Sequence, residues 1–270
     1  MNGTMALSVP AAAFLASMPA SYRETFDDVA IAAHFAIVAG RDQGDTRVEM
    51  WREEEEEGLL AICVVADDRP GLLAKINQAL VAHAIDVVTA HAFCREAMLE
   101  QGGETVEAVD FLWIKRVPGA RALPLAPSDI PQIARMIAAL AEGRATYAGS
   151  LAVVPASTPP LAGGCTTVRF EHDERLGRAV LTIEAVDRPG LLLAVTKTLF
   201  DAGLQIVGLR AATENGRAVD RFELAEADGK PLQKARMFAL QTAILCAVDD
   251  AGEARASVVP PMTEGKTGTV

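Results

Sequence analysis

Six consecutive residues occur twice in this chain: Asp68-Arg69-Pro70-Gly71-Leu72-Leu73 returns 119 residues later as Asp187-Arg188-Pro189-Gly190-Leu191-Leu192. Identity over six positions is more than chance supplies in a chain of this length, so the two segments mark copies of one unit. Whatever fold the chain adopts is built twice. The same offset lays residues 62–66 over 181–185, both apolar and β-branched runs that read as buried strands. Downstream, Leu80, Val88 and Ala92 fall on Leu199, Val207 and Ala211. Upstream, Gly58 falls on Gly177 and Trp51 on Phe170, each aromatic closing a short strand-like segment, 47–51 and 166–170. Each copy therefore begins with a hairpin. In the first, the glutamates 53–57 occupy its solvated tip; without spaced ligands they do not read as a cation site.

After the hexapeptide, Leu72, Leu73, Ile76, Leu80 and Val81 keep helical spacing, as do Leu191, Leu192, Val195, Leu199 and Phe200, with Gly203 ending the second helix. Two strands follow in each copy, 86–94 with 106–115 and 205–213 with 217–225. Asn215-Gly216 signals a tight turn in the second pair, and the first hairpin is about nine residues longer. Each copy closes with a helix, 130–142 in the first and from Pro231 to about Val248 in the second. The order per copy is ββαββα. Moving the leading strand to the end gives βαββαβ, so the expected class is α+β, with two ferredoxin-like sandwiches of antiparallel strands.

The expected boundaries are a helical lead-in at 1–44, a first unit at 45–145, a linker at 146–165 rich in Pro and Gly, a second unit at 166–250, and a flexible tail at 251–270. In the lead-in, Ser21 and Glu24 have capping-box spacing and predict a helix to Gly40 with Phe26, Val29, Ala30, Ala33 and Ile37 on one face, packed on the first repeat.

A length of 270 residues matches two domains of about 100 residues with connections. Half of the residues are hydrophobic and 5% aromatic, so the core is aliphatic. A net charge of −11 repels phosphate backbones and anionic lipid, which argues against nucleic-acid and membrane partners. Residues 1–22 carry two prolines and no Lys or Arg, so they make a poor signal peptide, and no window is apolar enough to span a bilayer. The expectation is a soluble cytoplasmic protein. Cys63, Cys94, Cys165 and Cys246 lack metal-ligand spacing and read as reduced thiols, and His34, His83, His91 and His172 are scattered. No nucleophile elbow, P-loop or zincin motif is present, so no catalytic residue, metal or cofactor is assigned.

The repeated turn has a structural reading: aspartate caps the helix, proline begins it and glycine lets it pack closely. The functional reading uses the same geometry. Amides of Gly71, Leu72 and Leu73 at a helix N-terminus suit a carboxylate. An amino acid brings that carboxylate together with an ammonium, for which Asp67, Asp68 or Asp110 offers a partner in the first copy and Asp187 or Asp220 in the second. The candidate ligand-binding residues are these aspartates with Arg69, Pro70, Gly71, Leu72, Leu73, Arg188, Pro189, Gly190, Leu191 and Leu192.

The hexapeptide after a strand, in a ββαββα unit with an aspartate shortly before the aromatic of a later strand (Asp110-Phe111; Asp220-Arg221-Phe222), resembles the ACT domain, a small amino-acid-sensing module. The tandem arrangement is similar to the C-terminal part of the bacterial enzymes that uridylylate protein PII and remove the uridylyl group, over residues 21–249 and including Pro19, Tyr22 and the helix bearing His34. The resemblance implies a tandem regulatory pair that senses an amino acid, glutamine first, in nitrogen regulation. The nucleotidyltransferase and phosphohydrolase motifs of that family do not fit before Arg47, so a non-catalytic chain is expected. Pairing of the units within one chain or in a homodimer, and contact with a PII-system protein, are the partners implied. The other reading is a ligand-free ACT interaction module docking on a PII protein or a separate catalytic chain, with large side chains sealed over both turns.

Overall fold

The repeat folds twice into the same six elements, and the two sets share one sheet. The computed structural model describes residues 9–98, 103–119, 123–146, 165–173, 177–228, 230 and 232–253. Three helices, α1 (Val9–Ser17), α2 (Ala20–Thr25) and α3 (Asp28–Ala39), lead into the first unit. That unit comprises β1 (Arg47–Glu53), β2 (Leu60–Asp67), α4 (Leu72–Ala82), β3 (Ile85–Met98), β4 (Glu104–Arg116) and α5 (Ile130–Ala141). The second repeats the order in β5 (Thr167–Asp173), β6 (Arg178–Val186), α6 (Leu191–Asp201), β7 (Leu204–Glu214), β8 (Arg217–Glu226) and α7 (Lys234–Glu253). Most of the expected linker, Pro231 and the tail beyond residue 253 lie outside the described residues.

All strand pairs are antiparallel, in the order β1-β2-β4-β3-β7-β8-β6-β5. Each half has the order of a ferredoxin-like sheet with its last strand moved to the front, as the element order predicts. The sequence reading leaves the pairing of the two sheets open. They join through β3 and β7, with Thr89 opposite Ala212 and Phe93 opposite Gly208, and make one eight-stranded sheet within the chain.

One face of that sheet carries α4–α7 over an aliphatic core of Ile62, Val64, Leu112, Leu181, Ile183, Phe222 and their neighbours. The other face differs between halves. β2 is apolar on both sides, so Cys63 and Val65, with Phe93, Val109 and Phe111, need a second cover, and α1–α3 supply it with Phe14, Met18, Tyr22, Phe26 and Ile31. At the same offset, β6 carries Thr182 and Glu184 on that side and alternates, and its register partner β8 places Arg221 there. A polar back face needs no helical cover.

The lead-in departs from the single helix predicted from Ser21. Phe26 adopts an extended conformation (φ −119°, ψ 140°) and ends α2, and Asp27 then caps α3, accepting from the Ala30 amide at 2.8 Å. The break re-aims α3, which buries Ala30, Ile31, His34, Ile37 and Val38 rather than the expected stripe through Val29 and Ala33. Val29, expected on the apolar face, is exposed. At the predicted glutamate tip, Glu54 folds back and accepts from the Trp113 indole at 2.7 Å, while Glu55–Glu57 remain exposed. The last helix runs past Val248 to Glu253. Among the described residues, no helix is long and apolar enough to cross a membrane, and no cluster of three His, Cys, Asp or Glu side chains could hold a metal ion.

Candidate functional site

The repeated turns differ in local geometry from the helix cap that the sequence suggests. Leu72 N donates to Arg69 O at 3.0 Å, and Gly71, at the third position of that turn, sits at φ 79°, ψ 9°. Leu191 N donates to Arg188 O at 3.1 Å, and Gly190 sits at φ 84°, ψ 0°. These are type II turns, with proline supplying the second position and glycine the left-handed third. The glycine itself is the helix N-cap, neither aspartate caps the helix, and neither proline lies in its first turn. The turn also takes the Leu72 and Leu191 amides, so the helix ends offer those of the next residues, beginning with Leu73 and Leu192. Leu72, Leu73 and Leu191 bury their side chains in the core and Leu192 is half-buried, so these residues serve a ligand only through the backbone.

Asp68 and Asp187 stand just before the turns. Each is fixed by its backbone amide, to Val106 O at 2.9 Å and to Gly216 O at 2.9 Å. Asp110 and Asp220 lie beneath them on the core face of β4 and β8, opposite Ala92 and Ala211. Both are buried, at 2% and 3% exposure. Burial first, and then the charge of Asp68, pushes the Asp110 carboxyl well above the usual carboxylate range; its Oδ2 has no hydrogen-bond partner among the described residues. Burial and the charge of Asp187 raise Asp220 to about 7.

Asp67 and Arg69 stand apart from this arrangement. Asp67 pairs with Arg41 and Arg69, and Arg41 also holds Glu107, which pairs in turn with Arg95. Arg41 is almost fully buried. This network ties the end of α3 to β2, β3 and β4, and it commits Asp67 to guanidinium partners. Pro70 is exposed and Pro189 half-buried at the turn surface.

The structure brings each turn against the other unit. The cleft at Gly190 is lined by Arg188, Asp187 and Asp220 from the second unit and by Asn77, Val81 and Asp86 from the first. The cleft at Gly71 is lined by Asp68, Cys94 and Asp110 from the first unit and by Thr196, Phe200 and Gln205 from the second. At an offset of 119, Val81 corresponds to Phe200, Asp86 to Gln205 and Cys94 to Thr213. These facing residues were absent from the sequence-based candidates. Their signal was available in the places where two otherwise matching copies differ.

Both clefts are narrow. The enclosed space is about 20 Å³ at Gly190 and about 30 Å³ at Gly71, enough for a water or two. Small residues in β3 and β7 (Ala90, Ala92, Ala211) underlie the seam where α4 meets α6.

No family model matches the chain. The chain is similar to bifunctional uridylyltransferase/uridylyl-removing enzymes: 29% identical over 247 residues to that of Phenylobacterium zucineum, covering 87% of this chain and 24% of the relative. It is 26% identical over 233 residues to that of Rhodospirillum rubrum, covering 84% of this chain and 24% of the relative. The chain thus spans about a quarter of the length of these curated relatives. Among solved structures, the aspartate kinase from Synechocystis aligns with 73% of this chain and 27% of its own at 14% identity and a TM-score of 0.37, too loose a likeness to bear on the site.

Proposed function

We propose that this chain is a non-catalytic, tandem ACT regulatory protein that binds a small amino acid, glutamine first, and acts in nitrogen regulation by uridylylation of a PII protein. The observation that carries the reading is the pairing, at the α4–α6 seam, of a helix N-terminus with a buried carboxylate beneath it, Asp220 in the second unit. A helix end attracts a carboxylate, an aspartate attracts an ammonium, and an α-amino acid carries both on adjacent bonds. Similarity to the uridylyltransferase family supports the biological setting.

Glutamine suits the Gly190 cleft better than glutamate. Asn77 donates its Nδ2 to Leu73 O at 2.8 Å, which leaves Oδ1 as the acceptor for a side-chain amide. A second carboxylate on the ligand would meet Asp187 and Asp220. A cleft of about 20 Å³ admits neither ligand as it stands, so binding is coupled to movement of one unit against the other. That coupling is the means by which a sensor would pass occupancy to a PII protein or a catalytic domain. A ligand-free docking module would seal both turns with large side chains; Phe200 lies over Gly71, while nothing among the described residues stands within 4 Å of the Cβ position at Gly190.

Calorimetric titration with L-glutamine, L-glutamate and the other common amino acids tests the reading. Binding by glutamine and weaker or no binding by glutamate is expected. Absence of binding by every amino acid overturns it.

A further inference from the structure

We propose that the two turns are unequal and that only the one at Gly190 takes an amino acid, because the second unit's own Phe200 and Gln205 fill the one at Gly71. The inference rests on the amino-acid-binding reading and fixes its stoichiometry.

The duplicated frame allows the two clefts to be compared position by position. Three atoms of the Phe200 ring lie within 2.9 Å of the place where a Cβ on Gly71 would stand. The corresponding residue facing Gly190 is Val81, three carbons shorter in reach, and nothing among the described residues stands within 4 Å of a Cβ on that glycine. A ligand carboxylate approaching the start of α4 therefore meets a ring, and one approaching the start of α6 does not.

The second difference concerns the donor. Gln205 Nε2 donates to Asp68 Oδ2 at 2.6 Å, and Cys94 Sγ approaches the same oxygen at 3.5 Å. An amide of the protein thus already occupies the acceptor that a ligand's ammonium would use. At the second turn the residue matching Gln205 is Asp86, a carboxylate, which has no amide to donate. Asp187 receives there a single hydroxyl, Thr213 Oγ1 at 3.0 Å, and the deep carboxylate Asp220 receives no hydrogen bond among the described residues. In the first cleft a ring covers the glycine and an amide holds Asp68, while Asp110 Oδ2 beneath them has no hydrogen-bond partner among the described residues. The second has neither the ring nor the amide, and its lining places Asp86 and Arg188 with Asp187 and Asp220.

Stoichiometry in the full chain decides the matter. Calorimetry with L-glutamine is expected to give one ligand per chain, and Asp187→Asn should weaken it by about tenfold or more, the loss expected for a charge-assisted bond. Phe200→Val combined with Gln205→Asp gives the first turn the wall of the second, and the count should rise to two, with circular dichroism to verify the fold. Two ligands per wild-type chain, one ligand indifferent to Asp187→Asn, or a folded double variant that stays at one would overturn this proposal while leaving amino-acid binding intact. The wild-type count and Asp187→Asn retain their force if the double variant does not fold. No binding to either wild type or double variant overturns the amino-acid reading and this inference with it.

Discussion

Alanine at each of the two turn glycines makes a matched experiment on the inequality of the turns. Gly71 and Gly190 share a left-handed conformation (φ 79° and 84°), so the backbone penalty of a Cβ is the same at both, about 1–2 kcal/mol. A smaller unfolded-state entropy offsets about 0.4–1 kcal/mol of it. At Gly190 the new methyl meets nothing within 4 Å among the described residues, so Gly190→Ala should cost about 1 kcal/mol. At Gly71 the methyl would stand 2.6 Å from Phe200 Cδ2, and the ring must move. Overpacking of this kind adds about 1–3 kcal/mol, toward the lower end here because the ring is 41% exposed and has somewhere to go. The assay is urea denaturation of the full chain followed by tryptophan emission and circular dichroism. Gly71→Ala should unfold at distinctly lower urea than Gly190→Ala, and Phe200→Val in the Gly71→Ala background should recover most of the gap as a favourable coupling energy. Equal losses at the two glycines, or no coupling between positions 71 and 200, would refute the placement of Phe200 as the cover of the first turn.

Burial holds His34 at a pKa of about 3, below the ordinary value of about 6.5, so the stability of its neutral form is present above about pH 6.5 and is lost as the pH falls toward about 3. Trp51, whose ring lies 4.4 Å from that of His34, should therefore red-shift on acidification as α1–α3 loosen, and His34→Asn should flatten the response. Arg41→Ala removes the buried partner of Asp67 and Glu107 and should cost about 3 kcal/mol in denaturant titrations, the low end for a broken buried pair because Arg69 and Arg95 remain. Asp220 has a raised folded value of about 7, so its protonated form stabilises the fold fully below about pH 4 and the benefit is lost as the pH rises through about 7. Asp220→Asn should gain on wild type in denaturant midpoint between about pH 5 and about pH 8.

The parts of the fold legible in the sequence were those governed by local chemistry or by the repeat itself. Asn215-Gly216 forms the tight turn its residues demand, with φ 52° and 76°, because both central positions of that turn require positive φ. The ββαββα order followed from periodicity and from one copy supporting the other. Pro-Gly was legible as a turn, yet its place relative to the helix was not, since a proline at the first helical position and a proline in a type II turn before the helix share the same residues. The lead-in misled for a different reason: Ser21 and Glu24 satisfy a local rule, but the chain turns extended at Phe26 and restarts at the Asp27 cap, which points Ala30, Ile31, His34, Ile37 and Val38 rather than Val29 and Ala33 at the sheet's aromatic side. Asp67 was a reasonable ammonium partner by adjacency, and only the fold brings Arg41, 26 residues earlier in the chain, to its side.

Phe200 and Gln205 belong to neither class, and they bear on why the units are fused. Two identical units pairing across β3 and β7 would carry two identical clefts, because each wall residue would face the same partner by symmetry. Joining them in one chain removes that constraint: the residue facing Gly71 and the residue facing Gly190 are encoded separately, as Phe200 and Val81. The hexapeptides, which shape the turns, stayed identical, while the opposing walls diverged. Identity in the turns therefore reports the shared backbone geometry, and the two clefts differ in the wall that the other copy contributes.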